Sequence, residues 1–367
     1  MKLIKYIIIF LLLLSSFCGY SQQKYHQFEI KTNYGITAPF HEYMNHLVRS
    51  NIFIGEIIYS IKTNGTKPWH NAWRCPEPAI GYLRGTIGDS KILGFSNSLF
   101  ILWGVPIIEK ENFLFKYRIG TGLAYITKCF SPEIPYNYNI MVGSKFNAHL
   151  HVSFLCDYKL FDTPLYLTTG FSFNHFSCGR IKRPNDGVNQ FTYSLGLKYL
   201  YSKTPYKLNR EEYPSEVPRK FEISPYYAAS LAQNRDFEEK TFFINSFLID
   251  FAYRVNYRRS WGIGHSFAHD QSLMDRLPTE LQTKSSLYRL GIHAYHEIYF
   301  IDYLSMVLQV GTYYYNKYDI YGLVDLIYIK MGIRYSYKNL FTNIILKTHS
   351  FAADYIEFGI GYRFVVN

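Results

Sequence analysis

His175 and Ser177 stand two residues apart in Phe171-Ser-Phe-Asn-His-Phe-Ser177, a stretch whose aromatics and alternation read as a β-strand. Strand side chains point alternately to opposite faces, so Phe171, Phe173, His175 and Ser177 share one face while Ser172, Asn174 and Phe176 take the other. A base and a hydroxyl on one face are the minimum for acyl transfer, the imidazole taking the proton as the oxygen attacks. A loop with Pro184, Asn185 and Gly187 follows. The next strand then puts Asn189 on the same face as Phe191, Tyr193, Leu195, Leu197 and Tyr199. The apolar neighbours mark that face as the lipid side, where polar groups are costly unless satisfied or functional, so His175, Ser177 and Asn189 together point to chemistry on a lipid.

The elements that must position these groups read as membrane-spanning strands. Phe358, Ile360, Tyr362 and Phe364 alternate with Glu357, Gly359, Gly361 and Arg363, and the same dyad recurs at 327–336 and 288–295. The composition agrees: 19% aromatic, with 36 Tyr and 29 Phe, and only 18% charged, as aromatic girdles around an apolar band require. An amphipathic strand can also be half-buried in a soluble sandwich, but closure into a barrel satisfies every sheet edge in lipid. The fold expected is therefore all-β, a transmembrane antiparallel up-and-down barrel of about 14 strands, 12 to 16 being allowed by the candidate segments and the even counts of bacterial barrels. Residues 22–367 are expected to form this single barrel. Tyr201 to Lys220, with Pro205, Pro214 and Pro218, interrupts it as a long turn.

Residues 1–21 read as a secretory signal peptide: Lys2 and Lys5, an apolar run from Ile7 to Leu14, and small residues at Gly19 and Ser21. The most apolar later stretch, Phe100 to Ile108, is interrupted by Gly104 and Pro106 and is too short for a membrane helix. The net charge of +11 suits an anionic lipid, and no helix-turn-helix or zinc-finger spacing suggests nucleic acid. Cys75, Cys129, Cys156 and Cys178 remain after loss of Cys18, with no readable pairing. No cofactor or metal is expected. His265, His269 and Asp270 could suit a metal only with a further ligand. Asn185 and Gly187 read as turn formers, Trp69, His70 and Trp73 as an aromatic belt, and His349, Asp354 and Glu357 as a structural polar cluster. Arg289, His293, Lys330, Arg334, Lys347 and Arg363 are expected to line a polar lumen.

The run His175-Phe-Ser177-Cys-Gly179, with Pro184-Asn-Asp-Gly-Val-Asn189 after it, resembles the outer-membrane lipid A 3-O-deacylase family, whose members read His-x-Ser-Asn, then Pro-Asn-x-Gly, then Glu. Leu346 to Phe364 resembles the longer acyloxyacyl hydrolase-like relatives of Bacteroidetes-type bacteria. The resemblance implies an outer-membrane esterase that removes an ester-linked acyl chain from lipid A of lipopolysaccharide. Ser177 would be the nucleophile, His175 the base and Asn189 the group that orients His175. Two positions depart from the pattern: Asn189 replaces a carboxylate, and Cys178 replaces the Asn that helps form the oxyanion hole, leaving a weak thiol donor and the backbone N–H groups of Cys178 and Gly179. These departures leave a second reading, a catalytically silent barrel with a structural, lipid-binding or pore role.

Overall fold

Alternation of apolar and polar residues over ten to sixteen positions dictates long strands here, and a computed structural model bears this out, describing residues 25–134, 139–204, 206–209, 220–277, 279–317, 326–349 and 352–366. The signal peptide, Cys18 included, and residues 205 and 210–219 of the expected long turn lie outside the described residues. Among the described residues no helix is long and apolar enough to cross a membrane.

The antiparallel up-and-down barrel is present, but it closes twice, not once, and with 17 strands among the described residues, not about 14. The first closure comprises β1 (Tyr25–Ala38), β2 (Ile52–Lys62), β3 (Glu77–Thr86), β4 (Phe95–Lys110), β5 (Phe113–Ile126), β6 (Phe146–Lys159), β7 (Leu165–Ser177) and β8 (Val188–Tyr201). β1 pairs with β8 over thirteen positions, from His26↔Tyr201 to Ala38↔Asn189, which seals the ring. The second comprises β9 (Lys220–Gln233), β10 (Thr241–Asn256), β11 (Arg259–Asp270), β12 (Tyr288–Ile301), β13 (Leu304–Asn316), β14 (Ile327–Tyr337), β15 (Leu340–His349) and β16 (Ala352–Tyr362), with a short β17 (Phe364–Val366). Here β9 pairs with both β10 and β16, and β17 extends that last seam. The physical reason for two rings is that β8 returns to β1 before the proline-rich connection, leaving no free edge for β9 to join.

Outward faces are apolar: Ile30, Phe53, Phe171, Leu195, Ile263 and Ile360 are all about half exposed or more. The interiors are charged and paired. In the first barrel a continuous ladder runs Glu56–Lys31–Glu29–Arg118–Glu77–Lys116–Asp157–Lys198, four anions against four cations. Arg118 meets Glu29 with both ends of its fork, at 2.9 and 2.7 Å. In the second, Arg334 lies between Asp250 and Glu297, Arg363 meets Glu297 at 2.7 Å, and Lys330 meets Glu357 at 2.8 Å. The cations expected in a polar lumen are therefore held in ion pairs or against tyrosines, all buried but the partly open Arg363, with Lys347 donating to the Tyr355 hydroxyl.

The two rings touch at both ends. A short helix, α1 (Pro68–Ala72), carries Trp69 and leads to Trp73, which packs with Trp103 and Phe300 and donates its indole N–H to the Tyr299 carbonyl at 2.8 Å. Trp69 and Trp73 thus join barrel to barrel instead of forming the lipid belt expected. At the other end, Phe130 stacks edge-on with Phe237.

Because the Arg118 guanidinium has no water to fall back on, removing it leaves the Glu29 carboxylate short of its main partner. Arg118→Met is expected to cost about 3–5 kcal/mol, read as a lower urea midpoint for loss of the heat-modifiable folded band, while Arg118→Met with Glu29→Met, which removes the pair together, recovers most of that loss.

Candidate functional site

β7 and β8 form the hairpin expected, and their register sets His175 directly across from Asn189. Directly opposed residues bring their Cβ atoms within roughly 5 Å, close enough for short side chains to bond. Here His175 Nδ1 and Asn189 Oδ1 lie 2.7 Å apart. With the amide oxygen accepting, Nδ1 carries the proton and the Nε2 lone pair is left free. On the other flank Ser177 opposes Ala148 and His175 opposes Leu150, so small and apolar neighbours surround the pair. Parity is as the alternation requires: Ser172, Asn174 and Phe176 are buried, whereas His175, Ser177 and Asn189 are partly open on the outward face with Phe173 and Phe191.

The loop 178–187 bends back over Ser177. Gly179, in the left-handed region at φ +61°, donates its N–H to Ser177 Oγ at 3.0 Å. Asn185 Nδ2 donates to the same oxygen at 2.9 Å and to the Gly179 carbonyl at 2.6 Å. Sequence reasoning took Asn185 for a turn former, and the Pro-Asn-Asp-Gly chemistry hid a side chain that folds inward onto the hydroxyl. The only signal that could have found it was the Pro-Asn-x-Gly pattern itself. Gly187, at φ +79°, lies so close that an added Cβ would be 3.0 Å from His175 Cε1, so a side chain there would press on the imidazole.

Cys178, expected as a weak oxyanion donor, points elsewhere. Its Sγ lies 3.4 Å from the Lys182 carbonyl and 3.8 Å from that of Gly179, and the residue is buried. The inward parity of position 178 explains this, since it continues the face of Phe176. Burial pushes the thiol up to about 11.

The loop is braced from the first barrel by Asp186 N–H to the Ile140 carbonyl at 3.3 Å and Gly187 N–H to the Met141 carbonyl at 3.0 Å. Below the site, on the outward surface, Tyr34, Val152, Phe154, Phe171, Phe191 and Tyr193 enclose a groove of about 410 Å³ whose floor includes Gly35. This is the size of a small-ligand pocket, and its lining is almost wholly apolar.

The remaining sequence candidates fall elsewhere. His265 and His269 face outward while Asp270 turns inward to Ser272, so they do not converge, and among the described residues no group of His, Cys, Asp and Glu gathers as a metal site would. His349 Nδ1 meets Asp354 at 2.7 Å, whereas Glu357 pairs with Lys330, so the expected polar cluster is split in two. Cys129, Cys156 and Cys178 are free thiols.

Residues 56–198 match the family profile described as Lipid A 3-O-deacylase (PagL), and residues 221–366 match the one described as Acyloxyacyl hydrolase, C-terminal domain. The two matched ranges divide the chain where its two rings divide. No curated protein matches the chain. Solved structures similar to it include the Acinetobacter baumannii outer membrane protein Omp33, at 4% identity over 94% of this chain and 100% of that one with a TM-score of 0.18. The translocator domain of autotransporter NalP from Neisseria meningitidis is 8% identical over 98% and 95%, with a TM-score of 0.20. Pseudomonas aeruginosa OpdO is 8% identical over 94% and 97%, with a TM-score of 0.23. Likenesses this low carry no argument about this chain.

Buried, and with its thiol pushed up to about 11, Cys178 is protonated and closed to reagents at pH 8. Peptide-resolved mass spectrometry after iodoacetamide treatment should find it almost unmodified in the folded protein at that pH and readily alkylated after unfolding. Rapid alkylation in the folded state would mean that the thiol points into the site.

Proposed function

We propose, for a chain that belongs to the lipid A 3-O-deacylase family of the outer membrane, that Ser177, His175 and Asn189 remove an ester-linked acyl chain from lipid A. The observation that carries this reading is the convergence of two donors, Gly179 N–H and Asn185 Nδ2, on the oxygen of a serine two residues from an imidazole whose far nitrogen is already held by Asn189.

The chemistry asks one movement of this arrangement, since Ser177 Oγ is bonded by Gly179 and Asn185 and not by His175: the imidazole must close on the hydroxyl. His175 Nε2 takes the proton from Ser177 Oγ as the oxygen attacks the acyl carbonyl, and the C–O bond to the sugar breaks when the same imidazole returns the proton to the leaving alcohol. A water, deprotonated by His175, then attacks the acyl-serine and releases the fatty acid. Gly179 N–H and Asn185 Nδ2 touch Oγ at rest and would turn from it to the tetrahedral oxygen as the Oγ–carbon bond forms; a donor so placed supplies on the order of 10² to 10³ in rate. Asn185 thus takes the part that the family resemblance had given to position 178. No cofactor is needed.

Asn189 orients the imidazole but carries no charge to stabilise the imidazolium. That predicts slower turnover than a carboxylate would support. The apolar groove between Phe171, Phe191 and Phe154 suits an acyl chain arriving from within the bilayer, its carbonyl at the level of Ser177. The rival pore reading is disfavoured by the charge ladders that fill both interiors.

Mass spectrometry of lipid A from cells producing each variant tests the proposal. Ser177→Ala and His175→Ala should each abolish loss of the acyl chain, and Asn185→Ala should lower turnover by about 10² to 10³. Asn189→Asp, which keeps the accepting oxygen in place and adds charge, should raise it by about 10-fold or more. Unchanged lipid A from cells carrying folded wild-type and Asn189→Asp proteins would instead favour the silent barrel.

A further inference from the structure

The loop that brings both donors to Ser177 is gripped from the second barrel by one side chain. The Arg180 guanidinium donates Nη1 to Asp354 Oδ1 at 2.9 Å, Nη2 to Asn234 Oδ1 at 2.8 Å and Nε to the Gln233 carbonyl at 3.2 Å. Gln233 answers with its own N–H on the Arg180 carbonyl at 2.7 Å, and its side-chain oxygen accepts the Arg183 N–H at 2.8 Å. The acceptors are themselves fixed. Asn234 also accepts from Arg276 at 2.8 Å and donates to the Ser272 carbonyl at 2.7 Å, and Asp354 is held by His349. Gly179 meanwhile lies against Ile356 of β16. The residue that follows the oxyanion donor is thus the most heavily tied residue of the loop, and all these ties of its side chain lead to the other ring.

We propose that Arg180 is a positioning residue for acyl transfer, through which the second barrel holds the Gly179 N–H on Ser177. This rests on the esterase reading above. The physical case is geometric: the Gly179 carbonyl shares its peptide plane with the Arg180 N–H and holds Asn185 Nδ2, which also donates to Ser177, so a swing of the Arg180 backbone carries that carbonyl with it and, through the Gly179 Cα at φ +61°, strains the placement of both donors. A misplacement of about 1 Å at such a donor can cost 10² in rate. The guanidinium fork suits the task because it meets three acceptors in one plane, which an ammonium cannot. On this view the second ring has no acyl-transfer chemistry of its own and serves as the frame for the first.

The test uses the full chain refolded in detergent micelles, with wild type, Arg180→Lys and Arg180→Gln compared. The readouts are kcat and KM for lipid A, the rate at which a fluorophosphonate labels Ser177, hydrogen exchange of residues 179–187, and heat-modifiable mobility as the check of folding. Arg180→Gln is expected to lower kcat about 10- to 100-fold with KM within about twofold, since the acyl groove is untouched, to slow labelling in proportion and to speed exchange in the loop. Arg180→Lys, which keeps the charge for Asp354 but loses the fork, should fall between the two. A folded Arg180→Gln protein with wild-type kcat and wild-type exchange overturns the positioning role, as does a loss confined to KM. Wild-type protein that neither deacylates nor takes the fluorophosphonate overturns the esterase reading instead, so the two failures are told apart.

Discussion

Ion pairing inside the two rings is the constraint on which the rest depends. A small barrel must fill its interior with side chains, and here the filling is charged: Lys31, Lys116, Arg118 and Lys198 against Glu29, Glu56, Glu77 and Asp157. Each buried charge is tolerable only because an opposite one touches it, so the ladder fixes which strands stand opposite one another across the lumen. It also frees the outward face. Because the interior charges are satisfied by one another, the polar side chains gathered around His175 on the lipid side are not needed to balance them and are free to be a site.

Much of this was legible in the sequence, because alternation survives every detail of closure. Phe171, Phe173, His175 and Ser177 were placed on one face by counting alone, and the hairpin's ten-residue loop then left Asn189 the partner of His175. The division into two rings was not legible. A strand alternates in the same way whether its neighbour is the next strand or the first, so the return of β8 to β1 leaves no mark on the dyad. The prolines between 205 and 218 marked the place without giving its meaning. Trp69 and Trp73 were misread for a related reason: an aromatic side chain turned outward looks the same whether it meets lipid or Phe300.

Within the site, what the sequence hid was what depends on loop folding. Cys178 adjoins Ser177 and Asn185 lies eight residues on, yet it is the distant amide that reaches the hydroxyl while the thiol turns to the Lys182 carbonyl. Two glycines make that possible. Gly179 and Gly187 both adopt positive φ, which reverses the chain tightly enough for position 185 to come back over position 177. Turn chemistry and site chemistry are therefore carried by the same few residues, and propensity alone reports only the first.

The aromatic contact of Trp73 and Trp103 with Phe300 has a consequence for traffic in the membrane. It covers one end of the outward faces of β4 and β5, at Trp103, Val105, Tyr117 and Ile119, while Leu99 and Ile101 of β4 and Leu123 and Tyr125 of β5 stay exposed to hydrocarbon, as does the arc from β6 through β7 and β8 to β1. A lipid diffusing in the plane meets the serine through that open wall, and protein stands in its way only where the aromatic cluster seals one end of β4 and β5. The seal therefore shields one end of that flank from the bilayer and leaves the rest of the first ring's wall, the site included, open to lipid moving in the plane.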